Sequence, residues 1–384
     1  MSSFKFLRST FALQLCSRGF STETAAATFQ PTKVAVRTSQ SDPTNHTMDD
    51  VGKLYTMPKG VRDKLFPKYV LPLYFEQLCD TFHETNIIVR QPAIELIDYL
   101  KRADYNRPII RYVIYGKYGC GKTLTLIHAM NYAFNNNFII VYVPSVWRWF
   151  HWSREVVASE RDPAILDLPL DASTWLKQFE LTNAELISKL DLRLSKTQEW
   201  SPREKTVEGS TLNELVLFGI NRVKYACQVI DVLLNELKNY ARQNSCKVFA
   251  AIDGFNGFFQ TTSRLKTPER VRLIPSNVSL THSFRSFVNN DWNNGAAVLV
   301  ADDHATVKGH YKSHLPFHLL QKAGVESIDP FIPINVPVYS PLEFQNYLDY
   351  LEEKRWLQKP EGRDEIDFVT QRNPRMVNTY CANR

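Results

Sequence analysis

The sequence predicts an α/β fold in which helices flank a parallel sheet, and three observations predict it. An apolar run at residues 108–115 ends in glycine, as a buried strand often does. A glycine-rich turn at 116–121 leads into a helical pattern at 122–134, and a second apolar run follows at 138–143. Strand, loop, helix and strand within about 35 residues are typical of a parallel α/β unit.

The composition is that of a globular chain with a mild positive charge. Of the 384 residues, 44% are apolar and 12% aromatic, which is enough for a full-sized core. No stretch approaches the roughly 18 uninterrupted apolar residues of a membrane span. The net charge of +6 is compatible with RNA contacts, but charge indicates association and not fold. The six cysteines include no C-x-x-C pair, so neither a zinc site nor a disulfide framework is indicated.

Residues 1–20 have the composition of a mitochondrial transit peptide. They carry Lys5, Arg8 and Arg18, are rich in serine and contain no acidic residue. Because Arg18 precedes a candidate cleavage point, we expect the mature chain to begin near Ser21 and to reside in the mitochondrial matrix. The alternative is a cytosolic tail with this composition by chance.

The rest of the chain divides into three parts. Residues 21–65 are rich in Thr, Ser, Pro and Gln without periodicity, which predicts an extended arm. Residues 66–338 contain the alternation of strands and helices and form the predicted α/β domain, with an insertion at about 155–210. In residues 339–384 the alternation stops, which predicts a small C-terminal helical lid.

The spacing of apolar residues and the helix-end signals predict the other elements. Helices are expected near 78–82, 92–100, 283–290, 342–357 and 366–378, and strands at 248–252 and 296–301. Within the insertion, capping-box patterns at Thr182 and Thr211 predict two helix starts, and the charged stretch 191–208 predicts an exposed loop. A long helix follows, with an apolar face formed by Ile230, Leu233, Leu234, Leu237 and Ala241.

A phosphate-binding motif follows the first strand and makes the predicted domain a P-loop NTPase domain. Residues 116–123 fit the pattern G-x-x-x-x-G-K-[ST] without deviation and lie between a predicted strand and a predicted helix. Glycines let backbone N–H groups approach phosphate oxygens, and the helix N-terminus favours the same anion. The lysine reaches the β- and γ-phosphates, and the threonine hydroxyl binds Mg²⁺. The predicted nucleotide-binding residues are Gly116, Lys117, Tyr118, Gly119, Cys120, Gly121, Lys122 and Thr123.

A candidate second metal ligand ends another predicted strand. The apolar run 248–252 is followed by Asp253, a position from which a carboxylate supports Mg²⁺ beside the phosphates. Thr123 and Asp253 are therefore the predicted Mg²⁺ ligands. Many strands end in aspartate, so this pattern gains its weight from the phosphate-binding motif upstream.

The residue after Asp253 argues against rapid hydrolysis. Many P-loop ATPases place a general-base glutamate there, and this chain has Gly254 instead. We expect at most slow hydrolysis, and no catalytic residue is assigned. Asp302 and Asp303 follow the strand at 296–301 and could orient a water, sense the γ-phosphate or cap the next turn; the pattern favours the cap.

The motifs leave the base preference and any nucleic-acid contacts open. The N-K-x-D tetrad of signalling and translational GTPases does not occur, which argues against a translation-factor GTPase without choosing between guanine and adenine. The aromatic run 147–152 favours a packing seam over stacking on RNA bases. The basic stretches 264–272 and 308–318 could contact phosphates or form solvated faces.

The chain resembles the death-associated protein 3 family in four stretches that occur in order: Asn86–Ala93, Arg111–Gly116, Ala251–Asn256 and Arg372–Met376. The similarity runs from about residue 60 to the C-terminus. It implies a protein of the small subunit of the mitochondrial ribosome that contacts ribosomal RNA and ribosomal proteins. It also implies binding of GTP or GDP with Mg²⁺, a proposed part in apoptosis, and an AAA-like fold whose lid brings Asn373–Arg375 near the nucleotide.

Two classes of function compete at this point. The leading interpretation is a structural ribosomal protein that carries a bound guanine nucleotide. The alternative is an AAA-like cycling NTPase or an apoptotic signalling switch. A cycling enzyme would need an arginine from a neighbouring subunit, for which Arg270 and Arg272 are candidates. Gly254 favours the static interpretation.

Overall fold

The computed structural model describes residues 34–160, 162, 164–261, 263–266, 270–303, 313–357 and 362–382. The predicted transit peptide and the first part of the predicted arm, to residue 33, lie outside the described residues. Of the basic stretch 308–318, only 313–318 are described. Among the described residues, no helix is both long enough and apolar enough to cross a membrane.

The described strands, in chain order, are β1 (Leu54–Thr56), β2 (Asn86–Ile88), β3 (Ile110–Tyr115), β4 (Phe138–Val143), β5 (Val157–Ala158), β6 (Leu166–Asp167), β7 (Gln198–Ser201), β8 (Glu204–Thr206), β9 (Lys247–Asp253), β10 (Gly295–Val300) and β11 (Ile332–Asn335). The described helices are α1 (Lys59–Leu65), α2 (Leu73–Phe82), α3 (Gln91–Arg102), α4 (Lys122–Asn135), α5 (Val146–His151), α6 (Pro169–Lys189), α7 (Leu212–Asn221), α8 (Ala226–Arg242), α9 (Ser279–Phe287), α10 (Pro316–Ile328), α11 (Pro341–Glu353), α12 (Arg363–Thr370) and α13 (Pro374–Ala382).

A five-stranded parallel sheet forms the centre of the molecule, in the order β11-β3-β10-β9-β4. The predicted α/β class is therefore confirmed, as are the strands at 108–115, 138–143, 248–252 and 296–301. The sequence did not indicate β11, which is short and contains Pro333. A proline is tolerated there because β11 is an edge strand, where a missing N–H costs no central hydrogen bond.

Helices cover both faces of this sheet, which explains why its strands read as continuous apolar runs. Val113, Ile139 and Val141 point into a core shared with α6, α7, α8 and α9. Tyr112 and Ile114 point to the opposite face, where they pack with α3 and α4. Because both faces of these strands are buried, their sequences do not alternate between apolar and polar residues.

The two predicted helix starts in the insertion have different outcomes. α6 runs through Thr182, so the start predicted there is wrong; the Thr182 hydroxyl donates to the carbonyl one turn earlier, at 3.0 Å. The start at Thr211 is confirmed, because its side chain and that of Glu214 form a capping box at α7. α9 begins at Ser279 and not near residue 283, since the first turn already buries Leu280.

The prediction of an exposed loop at 191–208 is wrong in part. β7 and β8 form an antiparallel hairpin within it. Leu192, Leu194 and Trp200 are buried in the core, and the Trp200 indole N–H donates to the Thr206 hydroxyl at 2.9 Å. The charged residues of this stretch alternate with the buried ones, which its high overall charge conceals.

The described part of the arm, 34–65, is folded against the rest of the chain. It contains two 3₁₀ turns, β1 and α1, which differs from the extended arm that its composition predicts. The Val36 N–H donates to Asn346 Oδ1 at 2.6 Å, and Arg37 forms an ion pair with Glu353 at 2.7 Å. These partners lie more than 300 positions away in the sequence, so local periodicity carries no sign of them.

Helices α11, α12 and α13 follow β11 and confirm the helices predicted at 342–357 and 366–378. α11 begins with a capping box, in which the Glu343 N–H donates to Ser340 Oγ and the Ser340 N–H donates to the Glu343 carboxylate. Their apolar core contains Phe344, Leu348, Leu351 and Val377, together with Ala35 and Leu54 of the arm.

The arm meets α4 at a pair of buried histidines. The rings of His46 and His128 are joined by a 2.9 Å hydrogen bond, and both residues are at most 2% exposed. Burial, and then the neighbouring His46, lower the pKa of His128 to about 3. His128 is thus neutral in the folded chain.

We expect acid to destabilise the protein through His128. In the unfolded chain this histidine titrates near pH 6.5, so between about pH 6.5 and 3 the unfolded state binds a proton that the folded state does not. The free energy of unfolding then decreases as the pH falls, by at most about 1.4 kcal/mol per pH unit. Denaturant titrations across this range should show a shallower pH slope for His128→Gln. The exposed His282 provides the control: His282→Gln should keep the wild-type slope, and equal slopes in both variants would contradict the assignment.

Candidate functional site

The glycine-rich loop Gly116–Thr123 joins β3 to α4 at the carboxyl edge of the sheet. Gly116 and Gly119 have φ values of 152° and 78°, where a Cβ is disfavoured. A Cβ on Gly116 would lie 2.3 Å from the carbonyl oxygen of Val336. A Cβ on Gly119 would lie 2.7 Å from Asn373 Oδ1. Both positions therefore require glycine for the loop to keep its shape.

The predicted phosphate-binding lysine is buried inside this loop. The Lys122 ammonium donates to the carbonyl oxygens of Gly116 at 2.9 Å and Lys117 at 3.2 Å. Asp302 Oδ1 lies 4.0 Å from the same ammonium. Lys122 is 6% exposed, so its charge is held at the centre of the loop with little competition from water.

The two predicted metal ligands lie together. The Thr123 hydroxyl donates to Asp253 Oδ2 at 2.7 Å, although 130 positions separate the two residues. Burial, and then the neighbouring Asp302 carboxylate, raise the pKa of Asp253 to about 7. Near neutral pH this carboxyl is thus partly protonated. A cation bound beside it would favour the ionised form and release the proton.

The other members of the motif contribute mainly backbone. The Lys117 side chain is exposed, and the loop uses its carbonyl oxygen. Cys120 is fully buried, and its carbonyl oxygen accepts from Arg90 at 2.7 Å. Tyr118 is 38% exposed and its ring lies against the Arg375 guanidinium. Gly121 is the N-cap of α4.

Asp302, two residues after β10, also lines this site. The Asn256 side chain fixes its backbone: the amide nitrogen donates to the Asp302 carbonyl at 2.8 Å, and the Asp302 N–H donates to Asn256 Oδ1 at 2.9 Å. Gly254, beside Asp253, has a φ of 76°. A glutamate at that position would be strained, in keeping with its absence from the sequence.

Arg90, which only the family resemblance brings forward, ties the loop to the lid. Its guanidinium donates to the carbonyl oxygens of Cys120, Pro337 and Val338 at 2.7–3.0 Å. It also pairs with Glu343 at 3.2 Å, and both side chains are more than 90% buried. One buried cation thus connects the start of α3, the glycine-rich loop and the start of α11.

The lid also contacts the loop directly, as the resemblance implies for Asn373–Arg375. The Asn373 amide donates to the Tyr118 carbonyl at 2.8 Å, and the Arg375 N–H donates to the Gly119 carbonyl at 3.1 Å. The Arg375 guanidinium lies 4.7 Å from the centre of the Tyr118 ring. These residues close one side of the loop.

A cavity of 260 Å³ opens from the loop. Lys122, Thr123, Asp253 and Asp302 line one end. The other end is largely apolar and aromatic, lined by Phe75, Leu78, Phe82, Ile87, Ile88, Tyr339, Tyr347 and Tyr350. A charged end joined to an apolar chamber suits a ligand that carries both an anionic and a flat apolar group.

The aromatic run 147–152 divides between core and surface. Trp149 is buried, in keeping with the packing seam that the sequence favours. Trp147 lines the cavity and stacks on His151 with ring centres 4.1 Å apart. Trp152 is 61% exposed.

Residues 87–378 match the protein family described as mitochondrial ribosomal death-associated protein 3. The chain belongs to this family. The matched span covers well over half of the sequence and contains the loop, Asp253, α11, α12 and the first part of α13. Membership confirms the family recognised from the four stretches, and with it the prediction of a mitochondrial ribosomal protein.

Three proteins named small ribosomal subunit protein mS29 are similar to this chain, two of them over nearly their whole length. The small ribosomal subunit protein mS29 of Mus musculus is 36% identical over 352 residues, with 90% of this chain and 89% of that protein covered. The protein of the same name from Bos taurus is 35% identical over 356 residues, with 91% and 89% covered. The mS29 protein of Neurospora crassa is 26% identical over 143 residues, with 37% and 30% covered.

We expect the buried Arg90–Glu343 pair to be essential for stability. Arg90→Met leaves the Glu343 carboxylate buried without its cation, which typically costs about 3–5 kcal/mol of unfolding free energy. The double variant Arg90→Met/Glu343→Gln removes the buried charge but keeps a side-chain oxygen at position 343 that accepts from the Ser340 N–H. It should therefore recover part of the lost unfolding free energy. Denaturant unfolding of the three proteins measures this. Unchanged stability of Arg90→Met would show that the pair does not hold the lid to the loop.

Proposed function

We propose that this chain binds a guanine nucleotide, GTP or GDP with Mg²⁺, through Gly116–Thr123, and does so as a structural constituent of the small subunit of the mitochondrial ribosome. The observation that carries the nucleotide part is the convergence of Lys122, Thr123 and Asp253 at one end of a cavity. The family, and the names of its members, support the ribosomal part.

The arrangement of the sheet supports a P-loop NTPase fold of the AAA-like kind. The glycine-rich loop, Asp253 and Asp302 follow β3, β9 and β10, which pair in parallel. All three therefore lie at the carboxyl edge of the sheet, where open α/β folds bind their ligands. We propose the corresponding division of the chain: an arm at 21–65, a nucleotide-binding domain at 66–338 and a lid at 339–384.

Each residue of the site has a role in this proposal. The loop N–H groups and the Lys122 ammonium hold the phosphates. Thr123 and Asp253 hold Mg²⁺, which supplies positive charge against the phosphate oxygens. Asn373 and Arg375 close the loop from the side of the lid. The nucleotide then stabilises the folded domain by mass action, as any ligand of the native state does.

A basic surface loop supports contact with ribosomal RNA. Arg264, Lys266, Arg270 and Arg272 are all exposed. The loop is closed at its base by a hydrogen bond from the Leu273 N–H to the Leu265 carbonyl at 3.0 Å. Clustered exposed cations gain affinity for nucleic acid by releasing its counterions.

Gly254 weakens the alternative of a cycling NTPase or switch. Its positive φ excludes an unstrained general-base glutamate beside Asp253. A part in apoptosis rests on the family resemblance.

Nucleotide binding should depend on Lys122. Lys122→Ala removes the buried ammonium and should lose most GTP affinity, whereas Thr123→Ala should mainly weaken the Mg²⁺-dependent part. Isothermal titration with GTP, with and without Mg²⁺, measures both. Lys322→Ala removes an exposed lysine of α10 and serves as the control. GTP binding by Lys122→Ala at wild-type strength would mean that the loop is not the binding site.

Hydrolysis should be slow, and bound nucleotide should survive purification. General-base assistance is often worth about 10²–10⁴-fold, and the usual position of that base is Gly254. Chromatography of the nucleotide released from the denatured protein, together with a phosphate-release assay, tests this. Rapid multiple turnover that Asp253→Ala abolishes would support the cycling alternative instead.

In mitochondrial lysate the protein should sediment with the small ribosomal subunit. An integral subunit protein is held by apolar packing as well as by phosphate contacts, so co-sedimentation should persist at moderately high salt and end after RNase digestion. A free monomer or ring in gently lysed mitochondria would contradict the structural role.

A further inference from the structure

We propose that Glu84 and Asn86 read the base of the bound nucleotide and that together they select guanine. This inference rests on the proposed nucleotide binding at Gly116–Thr123. It concerns the opposite end of the same cavity, which the motifs of the sequence leave unassigned.

β2 and the bend before it present these residues to the cavity. Asn86 and Ile88 are two positions apart in β2, so their side chains project to the same side of the strand, and Glu84 lies at the bend two residues earlier. All three line the cavity, and so do Lys122 and Thr123 of the glycine-rich loop. A single space therefore connects the phosphate end with these two polar groups.

Apolar and aromatic side chains line the remaining part of the cavity. Ile88, Leu124, Tyr339, Tyr347 and Pro374 line this part of the cavity. Tyr339 and Tyr347 are both buried, with ring centres 5.6 Å apart. A flat purine ring is suited to such walls, and the few polar groups in an apolar pocket fix the orientation and identity of its ligand.

Asn86 offers a hydrogen-bond donor that the folded chain does not use. The residue is 8% exposed, and its Oδ1 accepts from the Thr56 hydroxyl at 2.6 Å. Among the described residues its Nδ2 has no hydrogen-bond partner. The Tyr350 hydroxyl interacts with this amide but is outside hydrogen-bond geometry with Nδ2. A buried N–H group that lines a cavity favours a ligand that brings an acceptor.

Glu84 offers an acceptor beside that donor. Its Oε1 accepts from the Tyr350 hydroxyl at 3.0 Å and pairs with Lys354 at 2.6 Å, so the carboxylate is held in place. Both partners contact the same oxygen, which leaves Oε2 for a donor in the cavity.

Guanine complements this pair better than adenine does. Its O6 accepts a hydrogen bond, and the adjacent N1–H and 2-amino groups donate, which matches an amide N–H next to a carboxylate. Adenine carries an amino group in place of O6, and that group would meet the N–H groups of Asn86. It also lacks both donors for Glu84, because its N1 is an acceptor and its C2 carries no amino group. The pair thus provides a physical reason for guanine preference in a chain without N-K-x-D.

The test compares GTP, ITP and ATP by isothermal titration against the full chain with Mg²⁺. Wild type should bind GTP about tenfold or more tightly than ATP, with ITP weaker than GTP because it lacks the 2-amino group. Asn86→Ala should lose about tenfold in GTP affinity and little in ATP affinity. Asn86→Asp, which replaces the donor with an acceptor, should narrow or reverse the preference.

Thr56→Val is the matched control, because it removes the same hydrogen bond from Asn86 but keeps the amide. It should retain the preference for GTP. Two outcomes would contradict base recognition by Glu84 and Asn86 without contradicting nucleotide binding. One is an equal loss of GTP and ATP affinity in Asn86→Ala, and the other is equal affinity of the wild type for all three nucleotides. If wild type binds none of the three, the proposed function fails as well.

Discussion

The buried guanidinium of Arg90 is the contact on which the geometry of the site depends. A charged group this deep is costly to remove from water and is tolerated only when its donors are paired. Arg90 meets that condition with three carbonyl oxygens and the Glu343 carboxylate, and these belong to the glycine-rich loop, the chain leaving β11 and α11. The position of the lid and the shape of the loop are therefore set together. Neither can move without leaving a buried charge unpaired.

The parts of the fold that local chemistry determines could be predicted from the sequence. β3, the glycine-rich loop, α4 and β4 follow one another, and each has its own signal in apolar runs and glycine spacing. Asp253 could be found because a carboxylate after an apolar strand has a defined place relative to such a loop. Thr182 and Thr211 show the limit of this reasoning. Both begin the same four-residue pattern, but Thr182 lies inside a helix that its neighbours continue, and only Thr211 caps one.

The contacts that complete the candidate site could not be predicted in this way, because they join residues distant in the chain. Arg90 pairs with a glutamate 253 positions later, and Asn373 reaches Tyr118 across 255 positions. Asp302 shows a different limit: the sequence pattern favours a turn cap, and the 4.0 Å approach of Asp302 to Lys122 is visible only in the structure. The Nδ2 of Asn86, which has no hydrogen-bond partner among the described residues, can be recognised only once burial is known.

The order of strands in the sheet also determines when the glycine-rich loop can take up its native shape. β3, which carries the loop, pairs with β10 and β11 and not with β4, the next strand of the sheet along the chain. Ile110 is aligned with Ala296, and Tyr112 with Ile332, so both neighbours come from the last third of the sequence. Such long-range pairings make folding slow, because loop closure over many residues precedes the gain from contact. During synthesis from the N-terminus, the complete glycine-rich motif is present early. The strands that hold it in place, β10 and β11, become available only when almost the whole chain has been made.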